Sequence, residues 1–157
     1  MPAASEPLPV ALPHTFRPFG VRMAVYGFSA LLVLVAAVVW FTLPSEIQAK
    51  FTTFQRGTVI VLGLGFLAIG WGLARCRIEA RTDGLRVVNG FRSRDLEWSE
   101  VVDVTMRPGS PWAVLDLSDG TAAQALGIQS SDGARATRQV RELRRLVQVL
   151  TRTERDD

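Results

Sequence analysis

The chain has 157 residues, 48% of them hydrophobic, and carries 18 Lys plus Arg against 15 Asp plus Glu, a formal charge of +3. From Arg77 to Asp157 thirteen arginines face thirteen acids, so the basic excess sits beside the apolar N-terminal half, where it fits anionic lipid better than nucleic acid. One cysteine, Cys76, excludes an internal disulfide.

Residues 1–18 contain Pro2, Pro7, Pro9, Pro13 and Pro18 and almost no apolar periodicity, which predicts a disordered leader. Two uncharged runs follow, 21 residues from Met23 to Leu43 and 18 from Gly57 to Ala74. About 20 apolar residues cross the hydrocarbon of a bilayer, and a lone charge at a helix centre costs about 3 kcal/mol. The runs therefore predict transmembrane helices over 19–43 and 57–75, joined by a connector over 44–56. A cleaved signal is disfavoured for the first run by its length and by the second run behind it. A buried helix of a soluble core is the alternative for the second. Eight Arg residues flank the outer ends of the pair, Arg17 and Arg22 before it and six from Arg75 to Arg94 after it, whereas the connector holds Lys50 and Arg56. Positive residues are retained inside, so both termini are expected in the cytoplasm. Trp40 and Trp71 lie where interfacial indoles anchor helices. The small pairs Ala68/Gly72 and Gly70/Ala74 share helical faces and predict close packing, against the first span or a second copy.

From residue 76 to 151 the pattern changes to short alternating segments. Ile78 and Ala80 alternate with charges, Thr82-Asp83-Gly84 turns, Leu85–Val88 resumes, and Asn89-Gly90 is a tight hairpin signal. Phe91–Trp98, Val102–Met106, Trp112–Leu117 and Thr121–Ile128 continue the series, for six strands, with room for a seventh at Ala125–Gln129. After Ser130-Ser131-Asp132, the positions Ala136, Val140, Leu143, Val147 and Leu150 share one helical face. Arg138, Arg141 and Arg145 occupy the opposite face. Residues 152–157 are expected to be a disordered tail.

Six or seven antiparallel strands in a bent sheet or partial barrel, closed by one C-terminal helix, is a PH-like β domain; behind the two-helix hairpin it completes the predicted fold. The segments Thr82–Gly90, Leu96-Glu97-Trp98-Ser99-Glu100-Val101 and Ser118-Asp119-Gly120 resemble the bacterial PH-domain membrane proteins of the low-molecular-weight protein antigen 6 type. That resemblance spans roughly residues 20–150 and implies paired membrane spans ahead of the domain. Trp98 is expected to plug the core.

A phosphoinositide cup, which a likeness to eukaryotic PH domains would imply, needs several cations around one loop. Here the loop is three residues with Asp83 at its tip, flanked by Arg81 and Arg86, with Arg92 and Arg94 on the next hairpin. Cross-strand pairing with Glu79, Asp95 and Glu97 is the simpler account. No Cys or His metal spacing and no glycine-rich phosphate loop supports an enzyme, and the only histidine, His14, falls in the leader. The carboxylates Asp95, Glu97, Glu100 and Asp103 read as solvated surface. No cofactor, nucleic acid or small-molecule substrate is expected. The chain reads as a non-catalytic, multi-pass adaptor or assembly component at the inner face of the cell membrane, with a lipid-sensing module as the alternative. Its expected partners are the bilayer and a membrane protein or a second copy met through the spans. Candidate partner or lipid contacts are Arg81, Arg86, Arg92, Arg94, Arg138, Arg141 and Arg145.

Overall fold

The computed structural model describes residues 8–156, with side chains through Thr151. It divides into two compact units, one made of the segment ending at Gly20 together with Arg75 onward, the other of Val21–Ala74.

The second unit is a helical hairpin: α1 (Gly20–Thr42), a short α2 (Ser45–Lys50) in the connector, and α3 (Thr53–Ala74). Both long helices are of a length and apolarity that can cross a membrane. No residue of α1 is buried and only Gly72 and Ala74 of α3 are, which argues against a soluble-core helix and leaves a large apolar surface of the kind that marks a membrane or protein contact. Gly70 marks where α1 and α3 meet: a Cβ there would lie 3.1 Å from Val25 Cγ1 and 3.7 Å from Ser29 Oγ, and Phe28 packs on Phe66 with ring centroids 5.8 Å apart. Gly57, Gly63 and Gly65 have no such neighbour. The expected small-residue contact is thus made at Gly70, within the hairpin.

The first unit holds two antiparallel sheets and a closing helix. One sheet runs β1 (His14–Phe16), β2 (Arg77–Ala80), β3 (Leu85–Asn89), β4 (Arg92–Leu96) in spatial order. The other is β5 (Val101–Thr105), β6 (Trp112–Leu117) and β7 (Ala122–Gln129). Helix α4 spans Ala134–Asp156. The six strands expected after Arg75 are present. The seventh is not the one expected at Ala125–Gln129, which belongs to a single irregular β7 whose register shifts between Trp112 and Ala113 of its partner.

The seventh strand comes from the leader, and this corrects the expectation of disorder there. Phe16 opposes Ile78 and His14 opposes Ala80 across the β1–β2 ladder, and Phe16 is fully buried. Three paired residues and one aromatic anchor are too short to register as periodicity, yet burying a Phe side chain supplies about 1.5–3 kcal/mol. Residues 1–7 of the expected leader lie outside the described residues. The expected tail is also corrected, since α4 continues through Asp156; Asp157 lies outside the described residues.

Between the sheets lies one core of Phe16, Ile78, Leu85, Val87, Leu96, Trp98, Val101, Val104, Leu115 and Ile128, closed by Ala136, Val140, Leu143, Leu146 and Val147 of α4. Trp98 is 1% exposed and opens a short 3-10 turn (Trp98–Glu100) after β4. Its indole N–H donates to the Arg81 carbonyl at 3.1 Å, and its own carbonyl accepts from Thr151 Oγ1 at 3.0 Å. A Cβ on Gly127 would come within 2.7 Å of the Arg77 backbone, so β7 and β2 cross at a distance only glycine permits. Asn89 staples the same crossing: its Nδ2 donates to the Gln124 carbonyl at 2.6 Å and its Oδ1 accepts from the Leu126 amide at 3.1 Å.

Phe16→Ala and Trp98→Ala should each cost about 3–5 kcal/mol. Hydrogen exchange on the full chain in detergent should show the β2 and β3 amides losing protection in both; unchanged protection in Phe16→Ala would remove β1 from the core.

Candidate interaction surface

The seven candidate arginines separate into three groups: strand alternation sets Arg86 apart from Arg92 and Arg94, and Arg138, Arg141 and Arg145 lie on helix α4. Arg81 and Arg86 belong to the outward face of the first sheet. There Glu79 of β2 opposes Arg86 of β3, which opposes Asp95 of β4, so charge alternates across three strands. Glu79 is the centre of the network: it accepts from Arg77 Nε at 2.6 Å and from Arg81 Nη2 at 2.5 Å. Those bonds, Arg77 first and Arg81 second, hold its carboxyl below the usual glutamate range, and the Arg81 guanidinium is raised in turn by Glu79. Arg86 Nε lies 3.8 Å from Asp95 Oδ1.

Arg81 and Arg86 line a cleft of about 490 Å³ with Asp83, Asp95, Glu97 and Glu100. Four carboxylates against two guanidiniums make it a poor cradle for a multiply charged phosphate. Its floor is set by Gly84, whose φ of +155° and close approach to the Leu96 carbonyl, 2.3 Å from a Cβ built there, leave no room for a side chain. Asp103 leaves this acidic group: Arg144 of α4 reaches it at 3.0 Å and also donates to the Val104 carbonyl from Nε at 3.0 Å and Nη2 at 2.6 Å. Arg144 therefore ties the closing helix to β5. Nothing in its spacing separated it from the arginines beside it.

Arg92 and Arg94 form the second group, two residues apart on the exposed edge strand β4. The hairpin tip beside them carries Phe91, 69% exposed. Arg94 helps lower the Asp119 carboxyl, after the larger effect of Thr121, whose amide and hydroxyl donate to Asp119 Oδ1 at 2.8 and 2.6 Å.

Arg138, Arg141 and Arg145 are the third group. With Ala134 and Glu142 they line a shallow groove of about 310 Å³ on the solvent side of α4. No carboxylate lies within 4 Å of any of the three among the described residues. Sequence reading also missed Asp132, whose carboxylate accepts from the Phe19 and Gly20 amides, both at 2.7 Å, while Arg135 stacks over the Phe19 ring at 5.5 Å. Its place in a Ser-Ser-Asp run signalled a cap for α4, and it serves the N-terminal segment instead.

Two antiparallel sheets closed by a helix, bearing charged surfaces and a pair of apolar helices, define a PH-like module of the kind that works by membrane or protein contact. The family model described as bacterial PH domain matches residues 75–146. Uncharacterized proteins of Mycobacterium bovis and of two strains of Mycobacterium tuberculosis are 30% identical over 125 residues, covering 78% of this chain and 81% of each relative. The chain belongs to the bacterial PH-domain family. No solved structure gives a significant match.

Glu79→Gln should lower stability by about 1 kcal/mol at pH 7, since the network is half-exposed. A carboxyl held below its unfolded value stabilises fully above the ordinary glutamate range and loses that contribution as pH falls through its folded value. The difference in β2–β3 exchange protection between wild type and variant should therefore close on acidification below about pH 4. A difference independent of pH would overturn the network's ionic character.

Proposed function

We propose that the chain is a non-catalytic adaptor or assembly component of the cell membrane, whose hairpin spans the bilayer and whose PH-like domain docks an acidic protein surface on the Arg138/Arg141/Arg145 face. The carrying observation is the contrast among the arginines: Arg77, Arg81, Arg86 and Arg144 have acidic partners within the domain, whereas the α4 row has none among the described residues. A row of guanidiniums at that spacing gains most from carboxylates held on a partner. The anchor raises the effective concentration of any partner in the same membrane, so a modest contact is sufficient.

The β1–β2 pairing supports a two-crossing topology. A chain that leaves the sheet after Phe16 and re-enters it at Arg77, on the strand paired with the one it left, crosses a bilayer an even number of times. The arginine bias of the flanks then favours the cytoplasm for that side.

Lipid sensing is the second reading, and Phe91 is the observation that favours it: an exposed aromatic followed by Arg92 and Arg94 has the composition of a tip that dips into an anionic interface. A photoreactive amino acid placed at position 141 or 91 of the full chain in cells separates the two. The adaptor predicts a discrete protein adduct from position 141 that is lost, about tenfold, when Arg138 and Arg145 become Gln. Lipid adducts alone from position 141, with efficient lipid capture from position 91, would replace the adaptor with the sensor.

A further inference from the structure

At the connector end of the hairpin, α1, the connector and α3 line a half-open cleft of about 550 Å³, within the usual range of small-ligand sites. Its walls are Val39, Trp40, Leu43, Phe51 and Ile60, and its one charged lining residue is Arg56. The corner that holds Arg56 is built. Gln48 Nε2 donates to the Trp40 and Leu43 carbonyls at 2.9 and 3.0 Å, binding the last turn of α1 to the connector. The Gln48 carbonyl accepts from Arg56 Nη2 at 2.7 Å. The guanidinium lies over the Trp40 ring at 5.3 Å, and Phe51 meets that ring edge-on at 5.9 Å. Arg56 thus has a fixed position while one contact uses only one of its five N–H donors, and no carboxylate lies within 4 Å of it among the described residues. It also stands in the first turn of α3, where the helix dipole opposes a cation.

We propose that this cleft is a binding site for one anionic phospholipid, an acyl chain lying along Val39, Leu43 and Ile60 and the phosphate oxygens on Arg56. A ligand that is apolar along most of its length and anionic at one end is what the lining selects. A second copy of the chain would bring a second Arg56 and Trp40 against the first, with like charges facing. A zwitterionic lipid would satisfy the walls but would set its own cation against the guanidinium. The proposal rests on the hairpin lying in a bilayer.

The test is native mass spectrometry of the full chain released from vesicles of equal phosphatidylglycerol and phosphatidylcholine, beside extraction of the same membranes with alkaline carbonate. Wild type should resist extraction and retain one phosphatidylglycerol in about tenfold preference, the worth of one charge-assisted contact. Arg56→Gln should abolish the preference, and Ala36→Trp, which fills the cleft while keeping the charge, should abolish retention of either lipid. Arg56→Lys should keep a reduced preference, because the charge survives but the planar stack does not. A chain that resists extraction yet shows no preference, keeps it in Arg56→Gln, or retains no lipid because it dimerises through the cleft overturns the site alone. A chain extracted by carbonate overturns the bilayer reading and the site together.

Discussion

Everything in the domain depends on β1 finding β2, because the two strands are 60 residues apart in sequence and adjacent in space. Phe16 opposes Ile78 across that ladder and both are fully buried. The helical hairpin is therefore an insertion within a β-hairpin, where a turn of a few residues is the usual connection. Loop-closure cost grows only slowly with length, and a hairpin whose two ends return together lowers it further. Removing the leader would leave an open edge on β2 and a hole where the Phe16 ring sits, which makes the N-terminal segment part of the domain despite its distance in the chain.

The same constraint orders the polar contacts around it. Asp132 takes the Phe19 and Gly20 amides just beyond β1, so the chain is pinned on both flanks of the point where it leaves the domain. On the outward face, Glu79 sits between Arg77 and Arg81 on the strand that β1 covers. Arg144 and Thr151 then hold α4 against β5 and the Trp98 turn. These contacts are charge-assisted or made at the ends of elements, where backbone groups lack ladder partners. They fix how the sheets and helix meet, while the apolar core supplies the bulk of the burial.

Features that repeat along the chain were legible in the sequence; those that depend on a single distant partner were not. The two apolar runs are long and uncharged, and the six strands after Arg75 and the α4 stripe carry a periodicity; the runs and strands lie close to the observed elements, whereas α4 continues beyond its expected end to Asp156. Trp98 was found as a core residue because an aromatic before a tight turn has few other places to go. Phe16 escaped because three residues have no period, and prolines around it mimic a disordered segment. Asn89 read as a turn residue, but it ends β3 opposite Arg92, the turn falls one residue later at Gly90 and Phe91, and its amide bridges to β7, a role set by the crossing of two sheets. The arginines of the first sheet show the limit most sharply: the expected pairing with Glu79 and Asp95 is made by Arg81 and Arg86, whereas among the described residues no ion pair joins Arg92, Arg94 or Glu97, because register decides which charges face each other.

That register also bears on which surface is left to act. An arginine with a carboxylate at 2.5–3.0 Å gives up an existing contact before it can serve a partner, so its net gain on binding is small. Arg81 and Arg144 are in that position. The α4 row has no carboxylate within 4 Å among the described residues, and its backbone is held by a helix whose other face is buried in the core. A partner carboxylate meeting Arg138, Arg141 and Arg145 thus meets side chains whose helix is already ordered, which reduces the entropy that docking must overcome. Under the proposed docking, affinity would scale with the acidity of the partner surface and weaken with salt, and membrane confinement would raise its occupancy.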